Sequence, residues 1–388
     1  MEGRQPSWYE FFCGGGMARA GLGPGWNCLF ANDIDAKKAA SYAANWGDDR
    51  LRVSDVADLV SGDLPGHADL AWASFPCQDL SLAGNGAGLN GQRSGAFWAF
   101  WRLMQALIVE RRAPHAIVLE NVCGVITSHS GRDFAAIIAA LVESGYSAGA
   151  LVIDAKRFVP QSRPRLFILA TRDKALATAE PDPSWHPKSL VRAVESLSPC
   201  LIKHWEWWRL PVPAPRTARL SDLLHRDIDA ARWHAPEYTA RLLAMMSPRH
   251  QARVDAAMQA GARTIGCVYR RTRTDDRGNH VQRAEIRFDD VAGCLRTPAG
   301  GSSHQTILVV EGAKIRSRLL TAREGARLMG LAESYLLPAN ENVAYHLVGD
   351  GVVVPVVRYL ANTLLQPMLR ARFETSRDNL KLTRVSGS

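Results

Sequence analysis

The sequence predicts an α/β fold in which helices cover both faces of a parallel sheet, joined to a smaller, irregular second domain. Three observations carry this. Strand-like apolar runs alternate with helix-period segments over the first 172 or so residues. A glycine-rich turn follows the first strand and opens a helix. Beyond that region the alternation gives way to Pro-rich connections, "AEPDPSWHPKSL" and "LPVPAPRTARL", and short mixed segments.

"SWYEFFC" reads as the first strand because its residues are apolar or aromatic and a glycine turn ends it. "GGGMARAGLG" turns into a helix, and "WNCLFAND" is a second strand ending in acids. "IDAKKAASYAANWG" has Ala-rich helical faces, "LRVSDV" and "ADLAWASFP" are short strands, and "GAFWAFWRLMQALIVERR" places large apolar groups at helical spacing. "HAIVLENV" is again a strand, and "GRDFAAIIAALVESGY" a helix that Gly145 is suited to end. A strand-turn-strand is expected around Asp275 to Gly278. "SRLLTAREGARLMG" is an amphipathic helix with Thr321 as cap and Glu324 completing a capping box. "GVVVPVVRYLANTLLQPMLRARF" is helix-like after Pro355 and is expected to pack back on the first domain; the chain past Glu374 reads as a solvated tail. "HWEWWRL" reads as core rather than as a stacking platform.

Of 388 residues, 47% are hydrophobic, enough for a sizeable core. No uninterrupted apolar run reaches the roughly 18 residues of a membrane span, and no secretory signal is visible. Seven cysteines without a C-x-x-C pair point to reduced thiols inside a cell. Eleven histidines show no metal-ligand spacing, so no metal is expected. The net charge of +9 favours a polyanionic partner.

The glycine turn lets backbone approach a ligand, and the helix behind it favours negative charge. The second strand ends in Asp33 and Asp35, and the third in Asp55; a carboxylate there can bind ribose hydroxyls. Together these suit an adenosine-containing cofactor, although a strand-end Asp is often only a helix cap. The spacing departs from G-x-G-x-x-G, which counts against a dinucleotide. "ADLAWASFPCQDLSLAGNG" then raises a second question, because it places Cys77 beyond Pro76 at the lip of a strand, ahead of a glycine-rich loop. A cysteine taken alone is more often a small core hydrophobe.

Six segments give the answer. "FCGGG" (Phe12 to Gly16) is similar to an F-x-G-x-G cofactor turn, and "FPCQDLS" contains P-C-Q. They are followed in order by "ENV" (Glu120 to Val122), "QSRPR" (Gln161 to Arg165), the late helix "RLLTAREGARLMG" and the closing "GDGVVVPVV". In these motifs the chain resembles the DNA cytosine-5 methyltransferase family of bacterial type, over residues 8–172 and 316 to about 370. The resemblance implies a Rossmann-like, S-adenosylmethionine-dependent methyltransferase sheet with a target-recognition domain. The cofactor would be held by Phe12, Gly14, Gly16, Asp33, Ile34, Asp55, Val56, Pro76 and Asp350. Cys77, Glu120, Arg163 and Arg165 would be catalytic. Two departures stand out: Asp350 replaces the usual Asn of the closing motif, and Asp33-Ile34 stands where Glu and an aromatic are more common.

The implied reaction gives these residue types a reason. Cytosine C5 is a poor nucleophile until a thiolate adds to C6, and cysteine attacks and leaves readily. Its pKa of roughly 8.5 needs help from a nearby cation or helix N-terminus. Addition at C6 needs a proton or strong hydrogen bond at N3, which a buried Glu120 is suited to supply. Arg165 would contact the cytosine O2 and Arg163 would support the site. Read as alternating with Pro164 on one strand, the two arginines would face the same side. A base within a duplex is unreachable, so the target must flip out.

The Gly/Ser/Asn-rich segment Gln78 to Gly95 is expected to close over DNA, with Gln78 and Ser81 near the target strand and Arg93 near phosphate. Arg270, Arg271, Arg273, Arg296 and Thr297 are candidate DNA contacts in the variable region. The expected division is a catalytic domain over 1–172, a target-recognition domain over 173–315, a returning segment over 316–370 and a tail over 371–388. The partner is double-stranded DNA, with a cognate restriction enzyme as a candidate second partner. A monomer in the bacterial cytoplasm, associated with the nucleoid and not with a membrane, is expected. Alternatives are a tRNA cytosine-5 methyltransferase of the same family, a catalytically inactive DNA-binding relative, and a nicotinamide-dependent oxidoreductase.

Overall fold

The computed structural model describes residues 4–76, 95–172, 177–178, 180–225, 232–274, 278–295 and 304–370. The chain forms two compact units, one of Met1–Asp154, Pro164–Pro213 and Val352–Ser388, the other of Ala155–Arg163 and Ala214–Gly351. The boundaries of compactness thus differ from those expected. Residues 180–213 belong with the first unit because backbone bonds tie them to strand 147–154: Ala148 N–H donates to His204 O (2.9 Å) and Val152 N–H to Trp185 O (2.8 Å).

The first unit is built on strands β1 (Ser7–Phe11), β2 (Asn27–Asp33), β3 (Leu51–Val53), β4 (Leu70–Ala73), β5 (Ala116–Val122), β6 (Ser147–Asp154) and β7 (Pro164–Thr171), in the order β3-β2-β1-β4-β5-β7-β6. The sheet is not wholly parallel as expected, since β7 runs antiparallel to both β5 and β6. Only the short segment Ala155–Arg163 joins β6 to β7, and a parallel return needs a crossover of a dozen or more residues. Helices α1 (Met17–Leu22), α2 (Ala36–Trp46), α3 (Ala96–Val109) and α4 (Arg132–Glu143) join β1 to β2, β2 to β3, β4 to β5 and β5 to β6; after β7 come β8 (Ala177–Thr178), α5 (Lys188–Glu195), α6 (Pro199–Ile202) and β9 (Trp207–Trp208), which pairs with β8 as a two-stranded ribbon.

Helix α3 buries Phe97, Phe100, Trp101, Met104 and Leu107, one apolar face at helical spacing. Phe100 meets Phe11 of β1 at 5.0 Å between ring centroids, and Phe97 meets Phe75 at 5.5 Å. These contacts seat α3 beneath the glycine turn and beneath the strand end that precedes Cys77. Of the tryptophan cluster expected in the core, Trp208 is fully buried, whereas Trp205 and Trp207 are half-buried against the core, Trp205 edge-on to Phe134 of α4. The closing helix Val354–Leu360 also returns to this unit. A Cβ at Gly21 of α1 would lie 2.3 Å from the Val357 Cβ, so only glycine permits that approach. The stretch Glu341–Arg370 has the length and apolar composition of a membrane span, a test that buried core helices also pass; 61% of its most apolar window is buried.

The second unit, expected to be irregular, contains a regular antiparallel sheet. Its helices are α7 (Leu220–Leu223), α8 (Pro236–Ala244), α9 (Pro248–Gln259), α10 (Ala322–Leu328) and α11 (Glu341–Asp350). Strands β10 (Thr264–Thr274), β11 (His280–Arg287), β12 (Thr306–Glu311) and β13 (Lys314–Leu319) pair in the order β11-β10-β12-β13. β10 and β11 flank the expected turn, whose residues 275–277 lie outside those described. Leu242, Met246 and Val254 pack on Val268, Ile286, Leu308 and Val310 to form this unit's core. Because β13 pairs with β12, the segment after 315 continues this unit rather than opening a new one. Thr321 caps α10 with Glu324 completing the box, as expected.

Candidate active site

The motif residues of the first unit gather at one edge of its sheet. β1, β2, β3, β4 and β5 all end there, and the antiparallel β7 begins there, the edge at which open α/β sheets bind ligands. Glu120 is near the end of β5 and 6% exposed. Arg165 lies opposite Val122 in the β5–β7 register, diagonal to Glu120 on the same face. Its Nε is 3.3 Å from Glu120 Oε1, and its Nη1 donates to the Pro164 carbonyl at 2.9 Å. Cys77 lies outside the described residues, as do Gln78, Ser81, Arg93, Arg296 and Thr297. The chain leading to it is anchored: Asn121 Nδ2 donates to the Phe75 carbonyl at 3.0 Å, and Asn121 Oδ1 accepts from the Val122 amide at 2.8 Å. Asn121 therefore links the acid motif to the strand end before Pro76, which is itself exposed. Sequence reasoning passed over Asn121 although it is the middle letter of ENV. Asn121→Ala is expected to lower kcat roughly 10- to 100-fold with KM values little changed, since small misplacements of reacting groups are costly; steady-state kinetics check this.

At the end of β1 the turn carries left-handed backbone at Phe12 (φ 57°), Gly14 (φ 54°) and Gly16 (φ 75°). A Cβ at Gly14 would meet nothing within 4 Å, whereas one at Gly16 would stand 2.4 Å from Trp46 Nε1. One glycine leaves open space and the other permits close packing. Asp33, 7% exposed, accepts from the Gly14 amide through Oδ2 and from the Asp35 amide through Oδ1, both at 2.8 Å. Beside it Ile34 is 65% exposed, an apolar surface on which a base can lie. Asp35 caps α2, and Asp55 caps the turn Val56–Asp58 by accepting from Ala57 N–H; Val56 is buried. The open glycine turn, anchored carboxylate and exposed aliphatic wall fit an adenosyl group.

The Q-S-R-P-R segment does not put both arginines on one strand. β7 starts at Pro164, so Arg163 precedes it. Arg163 is 2% exposed; its Nη1 donates to Leu295 O, and its Nη2 to Gly349 O and Gly351 O, all at 2.8 Å. Gln161, fully buried, donates to Leu328 O (2.9 Å) and accepts from Leu295 N–H (3.2 Å). Within the second unit these two side chains brace the segment entering 296–303, the late helix and the closing motif. Asp350 is exposed at the end of α11, and the Gly349 and Gly351 carbonyls on either side of it accept from Arg163.

The family model for C-5 cytosine-specific DNA methylase matches residues 7–366. The chain belongs to the C-5 cytosine-specific DNA methylase family. Its enzyme class is accordingly DNA (cytosine-5-)-methyltransferase. The Type II methyltransferase M.DsaV of Dactylococcopsis salina is 28% identical over 367 residues, covering 94% of this chain and 87% of that protein. The Type II methyltransferase M1.ScrFI of Lactococcus lactis subsp. cremoris is 25% identical over 345 residues, covering 89% and 73%. The crystal structure of S. pombe Dnmt2 methyltransferase superposes with a TM-score of 0.58 at 19% identity, covering 93% of this chain and 99% of that one, a likeness in fold.

In this C-5 cytosine methylase the arginines of β10 divide between two faces. Arg271 and Arg273 both reach Glu285 of β11, at 3.5 and 2.5 Å, whereas Arg270, opposite Ala284, points to the other side. Arg283 lies directly opposite Arg271 and was not singled out from the sequence.

A buried acid also went unnoticed. Glu10, fully buried in β1, accepts from the Tyr42 hydroxyl at 3.4 Å through Oε2. Burial pushes its carboxyl up to about 8, against the opposing pull of Arg19. The native state therefore holds a proton that the unfolded chain releases near pH 4.5, so Glu10's contribution to stability falls as pH rises from there through about 8. Glu10→Gln mimics the protonated acid. The wild type is expected to lose stability relative to this variant as pH rises across that window, and denaturant unfolding at several pH values checks it. Burial also raises the Cys13, Cys28 and Cys267 thiols, the last two to about 11 and about 12, which makes them poor nucleophiles.

Proposed function

We propose that the protein transfers a methyl group from S-adenosylmethionine to C5 of a specific cytosine in double-stranded DNA, with the base flipped out and Cys77 bonded transiently to C6. The observation that carries this is the Glu120–Arg165 pair at the sheet edge, with Asn121 beside Glu120 anchoring the strand end that leads to Cys77. The cofactor, when bound, supplies an electrophilic methyl group. Phe12, Gly14, Gly16, Asp33, Ile34, Asp55, Val56 and Pro76 would hold it, the turn offering backbone, Asp33 its remaining lone pairs to ribose and Ile34 its exposed face to adenine.

Cys77 sulfur bonds to C6 as Glu120 gives its proton to N3, and C5 becomes nucleophilic. Arg165 fixes the O2 edge of the ring, and Arg163 holds the supporting loops. Once C5 carries the methyl group, its proton is lost to solvent. The C5–C6 double bond reforms, the sulfur leaves and Glu120 recovers the proton from N3. Gln78, Ser81 and Arg93 contact the target strand as their loop closes. Arg270, Arg271, Arg273, Arg296 and Thr297 contact the flanking duplex, so that the second unit reads the site. The setting is the bacterial cytoplasm, as a monomer with a cognate restriction enzyme in the same system.

Bisulfite sequencing of DNA from cells expressing the chain tests this. Methylcytosine confined to one short sequence is expected. Its absence, with transfer to tRNA in a parallel assay, would move the reading to RNA.

A further inference from the structure

The glycine turn is held from below by residues that no cofactor motif contains. Trp46, the last residue of α2, donates from its indole Nε1 to the Gly15 carbonyl at 3.1 Å. The same ring edge lies against Gly16, where a Cβ would meet Nε1 at 2.4 Å and Cδ1 at 2.7 Å. Arg19 of α1 sits over the Trp46 ring at 5.3 Å and over Tyr42 at 5.6 Å. Its Nη1 donates to the Tyr42 hydroxyl at 2.8 Å, and that hydroxyl donates to Glu10 of β1. A continuous chain thus runs from the sheet through α2 and α1 to the turn. Two of the turn's three central residues are fixed by one indole.

We infer that Trp46 is a positioning residue that sets the shape of the glycine turn, and through it the affinity for S-adenosylmethionine, without touching the cofactor. The inference rests on the reading of this turn as the cofactor site. A glycine turn is otherwise a loose element, because glycine visits both halves of backbone space almost equally. Pinning the Gly15 carbonyl on one side selects a single orientation of the peptide before the ligand arrives, and preorganisation of this kind appears as binding affinity. Arg19, held by the Tyr42 hydroxyl, lies over the indole plane and keeps it in place.

The test is calorimetric binding of S-adenosylhomocysteine to the full-length protein without DNA, alongside steady-state kinetics. Trp46→Phe keeps an aromatic ring but removes the N–H. It is expected to bind roughly 3- to 10-fold more weakly, the range of one lost hydrogen bond. KM for S-adenosylmethionine should rise to match, with kcat at saturation and the unfolding midpoint of the ligand-free protein close to wild type. Tyr42→Phe, which removes the hydroxyl that accepts from Arg19, should give a smaller effect of the same kind, and it carries the test if Trp46→Phe does not fold. Affinity within twofold of wild type for both variants overturns the inference, as does weaker binding matched by an equal loss of kcat. Wild-type protein that binds no S-adenosylhomocysteine overturns instead the reading of the turn on which the inference depends.

Discussion

Cys77→Ala is expected to transfer no detectable methyl group, a loss of at least about 10⁴-fold, while binding S-adenosylhomocysteine as the wild type does. Alanine offers nothing to add at C6, and without addition C5 has too little electron density to react. The described residues of the site are held by contacts of their own. Glu120 is positioned by β5 and Arg165, and the preceding strand end by Asn121 and by the packing of Phe75 on Phe97. The variant should therefore unfold at the same denaturant concentration as the wild type. A large fall in stability with transfer retained would make position 77 a packing residue.

Glu324→Ala is expected to destabilise the second unit by about 3–5 kcal/mol, the usual result of removing one partner of a buried ion pair. Arg318 and Glu324 are 2% and 0% exposed and meet through two bonds of 2.7 Å. Glu324 also accepts from the Thr321 and His225 amides at 2.9 and 2.8 Å. Alanine would leave a buried guanidinium without its carboxylate and two amides without acceptors. Burial alone would raise the Glu324 carboxyl, but the Arg318 bond and charge and the two amides hold it below its ordinary value of 4.5. Its contribution is therefore complete above about pH 4.5 and is lost as pH falls through the lowered value. Chemical denaturation at neutral pH measures the effect, and a change under about 1 kcal/mol would show that the pair contributes little.

Much of the first unit was legible because its signals are local. The apolar runs of β1, β2, β4 and β5, the glycines at 14 and 16, and the apolar face of α3 declare themselves within ten or fifteen residues. Thr321 and Glu324 were readable as a cap for the same reason. What escaped depends on partners far along the chain. Arg318 makes Glu324 an ion-pair partner as well as a cap. The antiparallel course of β7 follows from the short link between β6 and β7, and parallel or antiparallel pairing leaves little trace in an apolar strand. Arg163 looks like a solvated cation until Leu295, Gly349 and Gly351 are brought to it. Glu10 breaks an aromatic strand with one acid, a local conflict that could have marked it as special, but only the fold brings Tyr42 and Arg19 around it. Arg270 and Arg271 are neighbours in sequence and opposites in the sheet, a separation that strand periodicity would have revealed had the strand been traced through them.

The central claim is that Cys77 bonds to the cytosine ring. The most direct measurement uses a duplex carrying 5-fluorocytosine at the methylated position, incubated with protein and S-adenosylmethionine. Fluorine at C5 cannot leave as the proton does, so the intermediate is trapped. The account predicts a denaturation-resistant complex, with peptide mass spectrometry placing the modified base on Cys77 and Cys77→Ala forming none. No complex, or one mapped to another thiol such as Cys123 beside the Glu120 motif, would contradict it.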